Sequence, residues 1–367
     1  MKQRNLEIDR LRAFAIIMTV LVHIPGPFAI PKGILNTFHL PIGVDLFFAI
    51  SGYLMTTILL RDMESNKSFG TMIKKFYIRR ATRILPQAWF WLTVILIGSF
   101  TWTQVFSNSD IVIPQYFAAM GFIQNFAVGE TPYHPLLHVF WSLSLEEQFY
   151  LIFPIILFFL RKKGVVIFGI AYLELMIIIQ PAPNGFWPYR LDGMLCGALL
   201  AILYNSKWKE RIEPKFLLNR PMLASIVSII SIVALLIIPG EIWMTSLFFP
   251  SQGIFAAIVL YFAIFNKGYS FPTPWGVKQI LDWIGTRSYV LYLNHSVAYF
   301  IVWRLMPHIP FSNKYTTFVF LVASFFAMCL SAELTYRLIE TPLRKLGRRI
   351  PIKETKGHLV APNTTLQ

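Results

Sequence analysis

Charged residues are scarce in this sequence of 367 residues, because Asp, Glu, Lys and Arg together make up only 14% of it, against about 25% in an average soluble domain. So low a charge content excludes a disordered chain, a coiled coil and an ordinary soluble enzyme. Cysteine is scarce too, and Cys196 and Cys329 both lie inside apolar runs, so they form no disulfide framework. By contrast, 56% of the residues are hydrophobic, 16% are aromatic and the mean hydropathy is +0.57. This composition indicates an integral membrane protein.

Ten apolar runs are long enough to be transmembrane helices, since a crossing of about 30 Å needs about 20 residues. An eleventh candidate, 111–128, contains a proline and three amide side chains, so it is either a span or a re-entrant or interfacial piece. The ten runs are 13–31, 44–60, 85–104, 137–160, 164–180, 190–205, 221–239, 248–266, 288–306 and 315–334.

The distribution of basic residues decides between these two topologies. With ten spans and an internal amino terminus, 29 of the 33 Lys and Arg residues lie on the inner side, as the positive-inside rule favours. If 111–128 also crossed, the basic clusters at 161–163 and 207–220 would face outward. We therefore predict an all-α, polytopic membrane helix bundle with ten transmembrane helices and both termini in the cytoplasm. The formal charge of +15 is then explained by topology and by anionic lipid, and no nucleic-acid partner is expected.

The first apolar run carries a cation and an imidazole on one helical face. Arg12 and His23 are eleven residues apart, which at 100° per residue is three turns plus about 20°, with a rise of about 16 Å. A snorkelling arginine with a packed histidine is one interpretation. The other is a catalytic imidazole, because a neutral histidine serves as general base or acyl carrier near neutral pH.

Asp45 opens the second run, in GVDLFFAISGYL. One interpretation is a helix N-terminal acid that satisfies free backbone amides. The functional one is a partner that orients His23 across a helix pair, since Gly43, Ser51 and Gly52 permit close helix approach.

Two adjacent carboxylates, Glu146 and Glu147, stand in WSLSLEEQFYLIFP. They point about 100° apart on a helix and cannot both face lipid cheaply, so at least one needs an internal partner. Contact with Arg or Lys of another helix and a catalytic role both stay open.

Arginines cluster in KKFYIRRATRILP, where Arg80 and Arg83 share one helical face and Arg79 is adjacent. They are either an anchor on anionic lipid or a site for a phosphorylated cytosolic donor, because Arg suits bidentate phosphate contacts. The histidines are scattered, so no metal site is predicted. Weaker candidates, the last three of which are best explained as a helix-end ion network, are Arg190, Asp192, Asn294, His295, Glu333, Arg337 and Glu340.

Taken in order, these segments resemble the acyltransferase-3 family of multi-pass membrane acyltransferases over nearly the whole chain. The resemblance rests on the Arg–x10–His pair, GVDLFFAISGYL, the Arg–x2–Arg pair, WSLSLEEQFYLIFP, SYVLYLNHS and YRLIETPLR.

The resemblance implies an O-acyltransferase of the bacterial cytoplasmic (inner) membrane. The donor is then a cytosolic acyl-CoA, most commonly acetyl-CoA, used as co-substrate, and no permanently bound cofactor is expected. The acceptor is a hydroxyl on a surface or lipid-linked glycan, as in lipopolysaccharide or exopolysaccharide biosynthesis. His23 is implied as the catalytic histidine and Arg12 as its motif partner, with Asp45 and Glu146 in support. The implied donor-binding residues are Arg79, Arg80 and Arg83.

Residues 1–344 are predicted to be one membrane domain and 345–367 a polar cytoplasmic tail. We expect neither a cleavable signal peptide nor the SGNH-type hydrolase domain that some family members carry at the C-terminus. Two competing functions are a secondary transporter or flippase for a lipid-linked sugar and a membrane sensor that binds acyl-CoA without turnover. The arginine pair discriminates against a transporter, which needs no cytosolic phosphate clamp.

Overall fold

The computed structural model describes residues 4–25, 28–65, 68–127, 134–179, 187–241, 245–270, 275–306 and 315–351, and their regular structure is entirely helical. The predicted all-α fold class is thereby confirmed for this part of the chain. The helices are α1 (Leu6–Val22), α2 (Lys32–Thr37), α3 (Gly43–Glu64), α4 (Phe69–Thr101), α5 (Thr103–Phe106), α6 (Ser109–Met120), α7 (Gln124–Ala127), α8 (Phe140–Ile179), α9 (Asp192–Tyr204), α10 (Lys209–Ile212), α11 (Pro221–Glu241), α12 (Phe248–Ala263), α13 (Trp275–Leu305), α14 (Thr316–Thr335) and α15 (Thr341–Arg349).

Four helical stretches in the described residues are long and apolar enough to cross a membrane, judged by length and composition. Two shorter apolar helices, α9 and α12, accompany them. These helices indicate a membrane protein, while the count of ten spans and the side on which the termini lie stay predictions. The four stretches are Leu40–Glu64, Phe69–Thr101, Pro221–Ile238 and Thr316–Arg349.

The first helix ends earlier than its apolar run predicted. The run 13–31 stops being helical after Val22, and His23 is the C-cap residue. Pro25 follows closely, and proline is common just beyond a helix end because it cannot continue the helix. His23 therefore lies at the end of a helix rather than within a span.

Two other helices begin well before their apolar runs. α4 begins at Phe69, 16 residues before the predicted start, and α13 begins at Trp275, 13 residues before it. Lys and Arg favour a helix about as well as most apolar residues do, so a run of apolar residues marks the membrane better than it marks a helix end. The basic stretch with Arg80 and Arg83 is consequently part of α4.

The eleventh candidate segment is broken into α6 and α7, separated by a turn in which Phe122 has φ 55°. At 1.5 Å per residue, the 12 residues of α6 extend about 18 Å, which is short of the hydrocarbon thickness. Asn125 of α7 exchanges amide hydrogen bonds of 2.8 and 3.2 Å with Gln148 of α8. The segment is thus two short helices held against α8, and not one long transmembrane helix.

A similar break lies in α8, where Arg161 has φ 59°, a conformation uncommon outside glycine. The residues before and after it are helical. Two helical segments therefore meet at the predicted turn between runs 137–160 and 164–180.

Glycines bring the central helices into backbone contact. α3 packs along α9, and a Cβ added at Gly52 or Gly197 would overlap the backbone of the partner helix. α1 packs against α3 at Gly43 and along α13 at Gly285, again with no room for a Cβ. Small residues let membrane helices approach closely, and the predicted close approach at Gly43 and Gly52 is confirmed.

The predicted tail begins within a helix. Residues 345–349 belong to α15, which follows a π-helical turn at Tyr336–Glu340. Residues 352–367 lie outside the described part of the chain.

Candidate active site

A wide vestibule of 650 Å³ opens between the first residues of α1, the end of α3, the first half of α4 and helix α15. Basic side chains dominate its wall among the described residues, with only two acids. Such a concentration of one charge attracts anions and raises their local concentration. The basic residues are Arg4, Arg12, Arg61, Lys75, Arg79, Arg80, Arg83, Arg344 and Arg348, and the acids are Asp9 and Asp62.

A narrow cavity of 60 Å³ continues from the vestibule into the helix bundle. Three arginines, Arg12, Arg80 and Arg83, line both spaces and therefore stand at their junction. A volume of this size holds a few water molecules or a thin chain. Beyond the arginines the wall combines one carboxylate, Glu146, with apolar and hydroxyl side chains, namely Val44, Phe47, Phe48, Ser51, Ile84, Ser142, Leu143, Ser288, Tyr289 and Tyr292.

The junction concentrates positive charge. Arg12 and Arg80 both repel the charge of Arg83, while Glu340 attracts it. Arg12 forms only a long ion pair of 3.9 Å with Asp9, and its buried Nε has no hydrogen-bond partner among the described residues. Because like charges and an unpartnered donor are both costly in a buried site, this junction is suited to an anionic or strongly polar group.

Glu146 faces the narrow cavity from α8. The hydroxyls of Ser51 and Tyr150 both donate hydrogen bonds to its carboxylate, and the guanidinium of Arg80 lies 4.0 Å from the centre of the Tyr150 ring. The prediction that one of the two adjacent carboxylates finds an internal partner is confirmed. The Oε1 atom of Glu147 is buried without a hydrogen-bond partner among the described residues.

His23 lies against a second histidine, His295 of α13, with ring centroids 5.0 Å apart and the rings inclined at 64°. Nδ1 of His23 is 2.7 Å from the Thr19 carbonyl, and Nδ1 of His295 is 2.7 Å from the Tyr292 carbonyl. A carbonyl oxygen only accepts, so each ring carries its proton on Nδ1 and presents a lone pair on Nε2. The Nε2 atom of the fully buried His295 has no partner among the described residues.

A chain of rings connects the narrow cavity with His23. Tyr292 lines the cavity, and its ring centroid is 5.9 Å from that of His295. Within the described residues His23 itself lines neither space. The structure therefore separates His23 from the arginine junction by Tyr292 and His295.

Asp45 is placed elsewhere than predicted. Arg190 donates to its carboxylate, and the same guanidinium also donates to Asp192 at 3.0 Å and to Gln252 at 2.5 Å. Arg190 and Asp45 are 3% and 1% exposed, and a buried cation is a stronger partner for a carboxylate than a neutral imidazole is. The expected contact with His23 is not observed in the described part of the chain, and the tautomer of His23 is held by a backbone carbonyl instead.

The other predicted residues lie either on the vestibule wall or in ion pairs away from it. Arg79 lines only the vestibule. Glu333 pairs with Arg287 and Arg337, so an ion network at this helix end is confirmed. No group of three or more His, Cys, Asp or Glu residues that could hold a metal ion occurs among the described residues.

Sequence reasoning missed several lining residues. Tyr292 stands three positions before His295 in a motif that was already suspected, so helical spacing could have indicated it. Arg344 and Arg348 could not have been found, because they were assigned to the end of the membrane domain and to a loose tail.

Comparison with known proteins relates the chain to acyl-group transfer. The model of a family described as an acyltransferase domain matches residues 5–337. The peptidoglycan O-acetyltransferase OatA of Listeria monocytogenes is 30% identical over 93% of this chain and 56% of its own length. The O-acetyltransferase OatA of Staphylococcus aureus is 29% identical over 93% of this chain and 57% of its own length. The chain thus spans less than three fifths of these relatives, and no solved structure matches it.

Proposed function

This chain belongs to the acyltransferase family, and on that premise we propose that it is a membrane O-acyltransferase that uses acyl-CoA as donor. The observation that carries the proposal is the junction of Arg12, Arg80 and Arg83, which joins a basic vestibule to a narrow cavity. Tyr292 in the wall of that cavity contacts His295, the ring that lies against His23. An acetyl donor and a glycan acceptor are supported by the names of the two relatives, one of which acts on peptidoglycan.

The donor enters from the vestibule, which in this proposal faces the bacterial cytoplasm at the inner membrane. Coenzyme A carries several phosphate charges that cannot enter hydrocarbon. Arg79, Arg80 and Arg83 hold these charges by paired, charge-assisted hydrogen bonds, while the thin pantetheine arm passes into the narrow cavity. The prevalence of Lys and Arg in the segments assigned to the inner side supports this orientation.

The chemistry takes place at His23, which the thioester reaches past Tyr292 and His295, beyond the inner end of the narrow cavity. In both routes the acceptor oxygen ends bonded to the acyl carbon, the carbon–sulfur bond of the donor breaks, and coenzyme A leaves as the thiol. In one route Nε2 of His23 takes the proton of the acceptor hydroxyl and passes it to the sulfur. In the other, Nε2 bonds to the thioester carbonyl carbon as the carbon–sulfur bond breaks and coenzyme A leaves as the thiolate. The acceptor oxygen then displaces Nε2 from the acyl carbon, and the hydroxyl proton goes to the thiolate. Arg12 stands at the junction, about 16 Å of helix rise from His23, so in both routes it binds the donor phosphates rather than the reacting carbonyl.

The test offers acetyl-CoA labelled in the acetyl group to purified protein, with peptidoglycan fragments or other glycans as acceptors. Wild type should form an alkali-labile glycan ester, and His23→Ala should lose at least about a hundredfold in rate. The matched control is His39→Ala, since His39 packs against Phe248 and Gln252 rather than His295. Equal transfer by wild type and His23→Ala would make His23 a packing residue.

Two further outcomes reject enzymatic transfer altogether. Saturable binding of acetyl-CoA with no ester on any acceptor would indicate a sensor. Movement of an unmodified lipid-linked sugar across reconstituted vesicles, without use of acetyl-CoA, would indicate a transporter or flippase.

A further inference from the structure

Helix α15 is fixed against α4 rather than free. A Cβ added to Gly347 would overlap the Thr82 side chain of α4, and Gly347 is buried. Its preceding turn is tied in as well, because Glu340 is 2% exposed and accepts a hydrogen bond of 3.2 Å from Arg344. The short helix therefore presents a defined face to the vestibule.

That face carries two of the four basic residues of α15. Arg344 and Arg348 are four residues apart, so they share a face, and both line the vestibule. Lys345 and Arg349 form an equivalent pair one position further on, and within the described residues they do not line it. The helix thus directs two guanidinium groups into the vestibule and two basic groups away from it.

Arg344 is oriented before any ligand arrives. Besides Glu340, its guanidinium is 3.4 Å from the Tyr336 hydroxyl and 5.7 Å from the centre of the Tyr336 ring. A guanidinium held in place loses less rotamer freedom when it binds a phosphate, and its planar fork offers two parallel hydrogen bonds.

The position of α15 indicates which phosphate of the donor its arginines face. Arg344 and Arg348 line only the wide vestibule, whereas Arg12, Arg80 and Arg83 also line the narrow cavity. Coenzyme A has its thioester at one end, its diphosphate in the middle and its 3′-phosphate on the ribose at the other end. With the thioester end in the narrow cavity, the diphosphate lies at the junction and the 3′-phosphate remains in the vestibule.

We propose that Arg344 and Arg348 bind the 3′-phosphate of coenzyme A, so that the enzyme distinguishes acyl-CoA from donors that lack this phosphate. The inference rests on the proposed function, since it assumes an acyl-CoA donor. A phosphomonoester carries between one and two negative charges near neutral pH, which two arginines at i and i+4 match.

The test measures the affinity of the full-length protein in detergent for acetyl-CoA and for 3′-dephospho-acetyl-CoA. Wild type should bind acetyl-CoA about ten- to a hundredfold more tightly, as charge-assisted hydrogen bonds imply. Arg344→Ala with Arg348→Ala should abolish this preference, because it should weaken the binding of acetyl-CoA far more than the binding of the dephospho donor. The control is Lys345→Ala with Arg349→Ala, which removes the same charge from the same helix and should keep the preference.

The outcomes separate this inference from the proposed function. If wild type binds neither donor, the proposed function fails. If wild type prefers acetyl-CoA and the Arg344/Arg348 variant keeps that preference, the inference alone is overturned. It is also overturned if the control loses the preference equally, because the effect would then be general electrostatics. Should the alanine variant fail to fold, Arg344→Lys with Arg348→Lys keeps both charges but not the planar fork, and its preference should be reduced.

Discussion

A buried ring nitrogen without a hydrogen-bond partner can distinguish a functional histidine from one that only packs. His295 is fully buried and its Nε2 lacks a partner among the described residues, which costs about 1–3 kcal/mol of folding stability. If His295 served only in packing, an apolar ring without that nitrogen would make the folded protein more stable. The contact of this ring with His23 indicates instead that His295 positions the imidazole that we propose to be catalytic.

We therefore expect His295→Phe, which keeps a ring against His23, to lower kcat about a hundredfold without lowering the melting temperature. The KM for acetyl-CoA should stay unchanged, because in the proposed function the donor phosphates bind in the vestibule, and the pH profile of kcat should shift. The control is His134→Phe. His134 is also buried, with one ring nitrogen unpartnered among the described residues and the other bonded to a carbonyl. That carbonyl belongs to Phe106 of α5, which lines neither the vestibule nor the narrow cavity. A melting temperature that falls in step with kcat would make His295 a packing residue.

At the same scale, sequence reasoning predicted that buried charges find partners better than it predicted which partners they find. At least one of Glu146 and Glu147 was expected to find an internal partner, and Glu146 does so in Ser51. Asp45 was expected beside His23 and instead meets Arg190, 145 positions further along the chain. Helical spacing specifies faces within one helix, whereas a pairing between distant segments depends on how the helices are assembled.

At the scale of helices, close packing of α3 on α9 determines where Asp45 and Arg190 meet. A Cβ on Gly197 would lie 2.8 Å from the carbonyl carbon of Ala49 and 2.9 Å from the amide nitrogen of Tyr53. Both are backbone atoms, so the helices cannot adapt by rotating a side chain. The interface is therefore sensitive to a single methyl group.

Accordingly, Gly197→Ala should destabilise the protein by about 1–3 kcal/mol, as overpacking usually does. Thermal unfolding in detergent measures the change. The control is Gly70→Ala in the first turn of α4, where a Cβ meets nothing within 4 Å among the described residues. This control should be neutral or stabilising by up to about 1 kcal/mol. Equal stability of the two variants would contradict the close packing of α3 on α9.

Apolar runs predicted the helices better than their ends. Most runs correspond to a helix, but α4 and α13 extend beyond them at their N-termini and α1 stops short. The reason is physical: hydropathy reports where the chain meets hydrocarbon, while helix ends depend on caps and on tertiary contacts. The contribution of α15 to the vestibule was hidden for the same reason, since a polar helix leaves no hydropathy signal.

At the scale of the whole molecule, both the charge and the width of the internal space change from the vestibule to the narrow cavity. Basic groups surround the wide vestibule, three arginines mark the junction, and uncharged walls with Glu146 line the narrow cavity. A ligand with a polyanionic head and a thin apolar arm fits this order. The affinity for such a ligand should depend on salt as exposed charges do.

The last prediction uses this salt dependence to separate donor binding from lipid anchoring. Arg80→Ala with Arg83→Ala should weaken acetyl-CoA binding about a hundredfold at low salt. The difference from wild type should shrink as salt rises, because the Debye length falls from about 30 Å at 0.01 M to about 3 Å at 1 M. The matched control is Lys207→Ala with Arg220→Ala, which removes the same charge from exposed residues outside the vestibule wall, and it should change affinity less than about twofold. Equilibrium binding at several salt concentrations gives both slopes. If the two double variants have the same affinity and the same slope, Arg80 and Arg83 are membrane anchors, because a phosphate clamp acts at short range and depends on which two cations are removed.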